Sequence, residues 1–306
     1  MRVLLTGATG YIGRRLMNRL TKDEGVRLRL LVRSAKKLHA LTAPSPEVIE
    51  GDTLDRGSLA KAASGIDVAY YLVHSMGAGS SFEKLDRISA ENFREACVAE
   101  GVRRIIYLGG LGVKETASRH LMSRIETGEI LSASPSRIQT IWLRAGIIIG
   151  SGGASFEIIR HLVEKLPVMI TPKWVNTMTQ PIAVDDVIEY LLQSKDLSAE
   201  GDLVIDVGAE KMTFRDMMER TSRIMGLKRL MIPVPVLTPT LSSYWLILFT
   251  PVPFSVASVL IEGLKSETVV TNDNARRFFP LITPIPFDDA VKRALQEIAE
   301  RQVLTK

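Results

Sequence analysis

Cysteine is almost missing from this chain of 306 residues, where Cys97 stands alone. A lone thiol closes no internal disulfide, so a disulfide framework is excluded and a reducing, cytoplasmic setting is expected. Histidine is nearly as sparse, with four residues, and no His/Cys cluster has zinc-ligand spacing, so no metal is expected. Neither sign of charge dominates: 39 basic against 34 acidic residues leave a net charge of +5, without a polybasic run. That argues against nucleic acid as the main partner. No internal repeat and no low-complexity linker is present. The start, Met1 and Arg2 running into Val3-Leu4-Leu5 and a glycine turn, lacks the pattern of a secretory signal.

What the chain does have is alternation. Short apolar runs at Val3–Leu5, Arg27–Val32, Val48–Glu50, Val68–Val73, Arg104–Leu108 and Thr140–Leu143 are separated by amphipathic stretches. The latter predict helices at Tyr11–Thr21, Ala35–Leu41, Arg56–Ala63, Phe82–Glu100 and Ser118–Ser132. Apolar runs without clean alternation suit strands buried on both faces, so the pattern predicts an α/β, Rossmann-like, doubly wound parallel sheet. After Arg144 the regularity breaks. Helices are expected at Phe156–Lys165, Asp185–Gln193 and Thr213–Met225, an irregular stretch at Lys173–Pro181, and a last buried strand at Leu203–Val207. With about 100–200 residues per domain, two regions are expected. Residues 1–170 form the sheet domain, completed by 203–207, and residues 171–306 form a smaller, mostly helical region.

Residues 6–13 read Thr6-Gly7-Ala8-Thr9-Gly10-Tyr11-Ile12-Gly13, a Gly-x-x-Gly-x-x-Gly turn between a predicted strand and a predicted helix. Gly7 permits the tight turn, Gly10 lets the backbone approach a pyrophosphate, and Gly13 lets the helix pack on the strand. Glycine turns of this kind also exist for packing alone, but the strand–turn–helix context favours a dinucleotide. The second strand ends Leu31-Val32-Arg33-Ser34, followed by Lys36 and Lys37, with no carboxylate of its own to take ribose hydroxyls. Arg33 is placed to clamp a 2′-phosphate with Ser34 and Lys36 assisting, which favours NADP over NAD; the alternative is a solvated basic turn.

The Thr-Gly-x-x-Gly-x-x-Gly opening resembles the short-chain dehydrogenase/reductase superfamily in its atypical, extended, NmrA-like NAD(P)-binding branch. Gly51-Asp52-Thr53-Leu54, Leu72-Val73-His74-Ser75, Glu100–Leu108 and Pro181–Val187 extend the resemblance over about residues 1–225. It implies cofactor contacts at Thr6, Gly7, Thr9, Gly10, Tyr11, Ile12, Gly13, Arg33, Ser34, Asp52, Thr53, Val73 and His74. Carbonyl-reducing members use a Tyr-x-x-x-Lys pair. None of Tyr11, Tyr70, Tyr71, Tyr107, Tyr190 and Tyr244 has lysine four residues on, and the fifth strand ends in glycines, Gly109-Gly110.

The helix that should carry the pair holds His120 and Arg124, at i and i+4 on one face. His120 as an acid, with Arg124 beside the cofactor, stands against two ordinary surface residues. His74 either contacts the cofactor and moves a proton or caps a strand. Asn92 either lines the site or is a satisfied buried amide, and Cys97 reads as core. The expected function is an NADPH-dependent oxidoreductase acting on a hydrophobic substrate without the Tyr/Lys pair. The alternative is a non-catalytic NAD(P)-binding protein that senses redox state or supports a complex. The uncharged run Tyr244–Ile261 is divided by Pro251 and Pro253, so neither half reaches the roughly 20 residues of a span. It either packs on the sheet domain, covers the nicotinamide end, or offers a patch to a membrane or a protein partner.

Overall fold

Seven short parallel strands form the centre of the molecule, and most of their side chains are buried because helices cover both faces of the sheet. The computed structural model describes residues 1–38, 45–75, 81–234, 262–263 and 266–304. Its first half comprises β1 (Arg2–Thr6), α1 (Tyr11–Leu20), β2 (Arg27–Val32), β3 (Glu47–Glu50), α2 (Arg56–Ala63), β4 (Val68–Tyr71), α3 (Phe82–Ala99), β5 (Arg104–Gly110), α4 (Arg119–Leu131) and β6 (Gln139–Ala145). The second half comprises β7 (Ile148–Ile149), α5 (Ala154–Lys165), β8 (Val168–Pro172), β9 (Met178–Thr179), β10 (Ile182–Ala183), α6 (Val184–Ser194) and β11 (Leu203–Val207). It ends with β12 (Met212–Thr213), α7 (Phe214–Ile224), β13 (Leu230–Val234), α8 (Asn274–Phe278) and α9 (Phe287–Leu304).

The sheet order is β11-β6-β5-β4-β1-β2-β3, all parallel. The order reverses beside β1, which opens a crevice at the carboxyl ends of β1 and β4, where α/β sheets bind ligands. One core lies between the sheet and α1 and α6, with Leu5, Leu16, Leu30, Tyr70 and Leu191 fully buried. The opposite face packs on α2, α3 and α4 through Leu4, Tyr71, Phe93 and Cys97. Burial holds the Cys97 thiol well above its usual range. A third cluster, built on Phe156, Ile159, Met217, Phe287 and Val291, joins α5, α7 and α9.

Two predicted elements come out shorter. Instead of a helix at Ala35–Leu41, a single 3₁₀ turn spans Ala35–Lys37, and Leu38 is already extended. The turn is tied down by Glu50, whose carboxylate accepts from the Ala35 amide at 2.6 Å. Residues 39–41 lie outside the described residues. The fourth strand stops at Tyr71 rather than Val73, because the Leu72 amide donates to the Thr6 hydroxyl and leaves the ladder. The Tyr244–Ile261 run lies outside the described residues. Among the described residues no helix is long and apolar enough to cross a membrane.

Candidate active site

The glycine turn sits where β1 feeds α1, and space forces its composition. A Cβ on Gly7 would stand 2.3 Å from the Leu72 carbonyl oxygen, and the residue has φ +75°, in the left-handed region. A Cβ on Gly13 would meet the Gly7 oxygen at 2.1 Å. Gly10 differs: its φ is −79°, and an added Cβ would be 3.2 Å from the Gly7 oxygen. α1 opens at Gly10 with no side-chain cap and no carboxylate in its first turn, so its leading amides are left for an anion. These features suit the turn to cradle a phosphate.

Other expected contacts are placed along the same edge, with different roles. Thr6 is fully buried, and its hydroxyl donates to the Tyr70 carbonyl while accepting from Leu72, so it stitches β1 to β4. The Thr53 hydroxyl is also engaged, accepting from Ser89, which in turn meets Tyr71. Asp52 accepts from the Leu54 amide and stays half-buried. Tyr11 lies under the Gly150–Gly153 turn, and burial raises its hydroxyl to about 12. Arg33 is exposed and has no hydrogen-bond or ion-pair partner among the described residues. Asn92 is a buried amide donating to the Thr53 and Leu54 carbonyls.

Beyond the end of β4, three elements converge on one chain of polar groups. His74 follows β4, Asp86 projects from the buried stripe of α3, and His120 stands in the first turn of α4. His74 Nδ1 lies 2.7 Å from Asp86 Oδ2, and His74 Nε2 lies 3.0 Å from His120 Nδ1. Asp86 further accepts from the Ser75 amide at 2.8 Å and the Ser123 hydroxyl at 3.1 Å. Burial works to raise Asp86, but the hydrogen bond and charge of His74 and the Ser75 amide outweigh it and hold the carboxyl low. Burial pushes His74 below its ordinary value despite Asp86. Burial, then the charges of His74 and Arg124, push His120 down to about 3. The carboxylate is therefore ionised and both imidazoles are neutral near pH 7.

His120 and Arg124 both line a cavity of about 520 Å³ at the carboxyl ends of β5 and β6. Arg124 is no loose surface residue: it donates to the Leu108 carbonyl, and its guanidinium lies 5.8 Å over the Tyr107 ring. Ile12 of the glycine turn, Gly109, Gly110 and Gly146 bring the backbone edge to the same space. The far wall is apolar, with Ile158, Leu162, Met169 and Phe214. Thr171 and Trp174 also line it, and Thr171 Oγ1 and Trp174 Nε1 are buried without a hydrogen-bond partner among the described residues. An apolar wall with a few unpaired polar handles is the ordinary make-up of a small-molecule site.

Residues 7–136 match the family model described as NAD(P)H-binding. Over those residues the chain is similar to NAD(P)H-binding proteins, in keeping with its resemblance to the extended, NmrA-like short-chain dehydrogenase/reductase branch. A ceramide reductase of Caulobacter vibrioides is 26% identical over 238 residues, covering 76% of this chain and 73% of that protein. A (4-alkanoyl-5-oxo-2,5-dihydrofuran-3-yl)methyl phosphate reductase of Streptomyces griseus is 25% identical over 230 residues, 73% of this chain and 74% of that one. In fold, the Citrobacter triphenylmethane reductase complexed with NADP(H) superposes with a TM-score of 0.76 at 18% identity, over 96% of this chain and all of the other (100%). By the resemblance to short-chain dehydrogenases/reductases, α4 is the helix expected to bear Tyr-x-x-x-Lys, and it bears His120 and Arg124 instead. The sequence pointed to His120 and His74 separately and missed the carboxylate that joins them.

Proposed function

We propose that the protein is an NADPH-dependent oxidoreductase that reduces a carbonyl on an apolar, chain-bearing substrate, with His120 as the proton donor. The observation that carries this reading is the Asp86–His74–His120 chain, whose last imidazole lines an apolar cavity beside the glycine turn. The substrates named for the two relatives, a ceramide and an alkanoyl furanone phosphate, support a substrate of that kind. A purely cofactor-sensing role would leave both the cavity and the buried relay without a task.

The proton positions follow from the partners. With both rings neutral, Asp86 accepts from His74 Nδ1–H, and His74 Nε2 accepts from His120 Nδ1–H. His120 Nε2 is then a bare acceptor, which suits removal of a hydroxyl proton in the oxidative direction. Reduction uses the same chain carrying one more proton. His120 Nε2–H donates to the substrate carbonyl oxygen, His120 Nδ1 accepts from His74 Nε2–H, and Asp86 balances the His74 imidazolium. When bound, the dinucleotide supplies the hydride to the carbonyl carbon. As the C=O π bond opens, the oxygen takes the His120 proton and His120 takes the His74 proton, leaving two neutral rings and an alcohol. Arg124, tied to Leu108, fixes a positive charge beside the developing oxyanion.

The residues present fit a dinucleotide through the glycine cradle. Arg33, Lys36 and Lys37 favour NADP by their charge, while Glu50 at the Ala35 amide opposes an added phosphate. Replacing Arg33 by alanine is expected to weaken NADPH roughly ten- to a hundredfold with little effect on NADH. Calorimetric titration with both cofactors checks this, and equal losses would make Arg33 a support of the loop. The function itself is tested by NADPH consumption with ketones of increasing alkyl length. The expected result is a kcat/KM that rises with chain length. Turnover confined to short polar carbonyls, or none at all, would contradict it.

A further inference from the structure

The two-stranded parallel ribbon of β8 and β13 presents a bare apolar face. Its register pairs Leu230 with Val168 and Ile232 with Ile170, so four branched side chains stand side by side. They are 59%, 46%, 43% and 51% exposed in that order. The intervening Met169, Thr171 and Met231 point inward and are buried. Strand alternation would normally put polar residues on the outer face, and here both faces are apolar. Contiguous exposed apolar surface of this kind marks an interaction site on a soluble protein.

The charge around this face indicates what it meets. Residues 165–176 and 225–234, which contain the ribbon and its flanks, hold Lys165, Lys173, Lys228 and Arg229 and no carboxylate. Lys165 and Lys228 lie beyond the start of the two strands and Lys173 follows the end of β8, so cations stand at both ends of the patch. The three lysines are exposed and have no ion-pair partner among the described residues. Arg229 instead holds the last turn of α5 through the Val163 and Glu164 carbonyls. An apolar stripe bracketed by unpaired cations complements an anionic lipid surface, whose acyl region takes the stripe and whose headgroups take the lysines.

The patch also continues into the cavity. Val168 and Ile170 belong to the exposed face and to the cavity lining at once, so they form its rim. We propose that the β8–β13 face docks reversibly on an anionic bilayer and presents the cavity mouth to it. A membrane-resident chain molecule then slides from the acyl layer into the apolar cavity. Docking stands independently of the reductase reading; only the delivery of substrate rests on it.

Co-sedimentation of the full chain with phosphatidylcholine vesicles, with and without phosphatidylglycerol, tests the docking. The expected result is binding to the mixed vesicles that weakens with salt and is weak on pure phosphatidylcholine. Leu230→Ser with Ile232→Ser, two residues outside the cavity lining, should lower partitioning roughly tenfold or more. Lys173→Glu should lower it about five- to thirtyfold on the anionic vesicles alone. NADPH binding, measured on each variant, should be unchanged and shows that the fold is intact. Wild-type protein that stays in the supernatant, or variants that sediment as well as wild type, would overturn the proposal. So would a dimer that the Leu230/Ile232 variant abolishes without any vesicle binding, since the face would then join two copies of this chain. Loss of turnover on soluble ketones with vesicle binding intact would instead count against the reductase reading alone.

Discussion

A Gly10→Val chain is expected to fold and to lose dinucleotide binding. The position has φ −79°, which valine adopts, and its Cβ would lie 3.2 Å from the Gly7 oxygen, a contact relieved by a few tenths of an ångström. The methyls, however, would fill the space above the first amides of α1, where a pyrophosphate must come close. Gly7 and Gly13 are unsuited to this test, because a Cβ at either would run into backbone at 2.3 or 2.1 Å and upset the turn itself. With NADPH at about a hundred times its Kd, the wild-type chain should gain about 2.7 kcal/mol of stability. The variant should melt at its own unliganded temperature with or without cofactor. A wild-type thermal shift would show that phosphate binds elsewhere.

His120→Gln is expected to lower the reductive kcat by roughly a hundred- to ten-thousandfold while leaving NADPH affinity unchanged. Glutamine keeps a hydrogen-bond donor of similar reach, so the loss would report proton transfer rather than binding. The wild-type pH profile carries the same signature. Both imidazoles are held below the ordinary histidine value by burial, so the proton-loaded chain is already the minor form near neutrality. As pH rises, reductive kcat/KM should therefore begin to fall already below pH 6.5 and go on falling through neutrality, approaching tenfold per unit. Alcohol oxidation needs the bare Nε2 and should not share that fall. His74→Phe, which breaks the chain without touching substrate, should flatten the profile as well as lower the rate. A variant with wild-type kcat, or a profile that His74→Phe leaves unchanged, would remove the relay from the mechanism.

Much of the frame is written locally in the chain. β2 and α2 match their expected bounds residue for residue, because one alternates Arg27 and Arg29 with leucine before the apolar run Leu30-Leu31-Val32 and the other is opened by Asp55, which caps the Gly57 and Ser58 amides. The glycine turn is legible for the same reason: its constraint acts over eight consecutive residues. Other features depend on partners distant in sequence. Asp86 is 12 residues from His74, and His120 is 46 residues beyond it on another helix. A signal was present, since Asp86 falls on the buried stripe of α3 with Phe82, Ala90 and Phe93. A carboxylate on an apolar stripe must find donors.

The β8–β13 ribbon was hidden differently. Its outer and inner residues are all apolar or small, so no period of two marks it, and its pairing joins residues about 60 positions apart. Glu50 likewise reaches the Arg33 turn from a neighbouring strand, which a reading of β2 alone does not reveal.

The central claim is that the buried relay serves a reaction in the apolar cavity. A crystal structure with NADP bound tests it most directly. The account predicts the pyrophosphate on the Gly7–Gly13 turn and the nicotinamide C4 open to the cavity on the side of His120. His120 Nε2 should then stand within hydrogen-bond reach of a carbonyl oxygen placed over C4. A nicotinamide ring sealed by side chains, or one whose C4 faces away from His120, would contradict it.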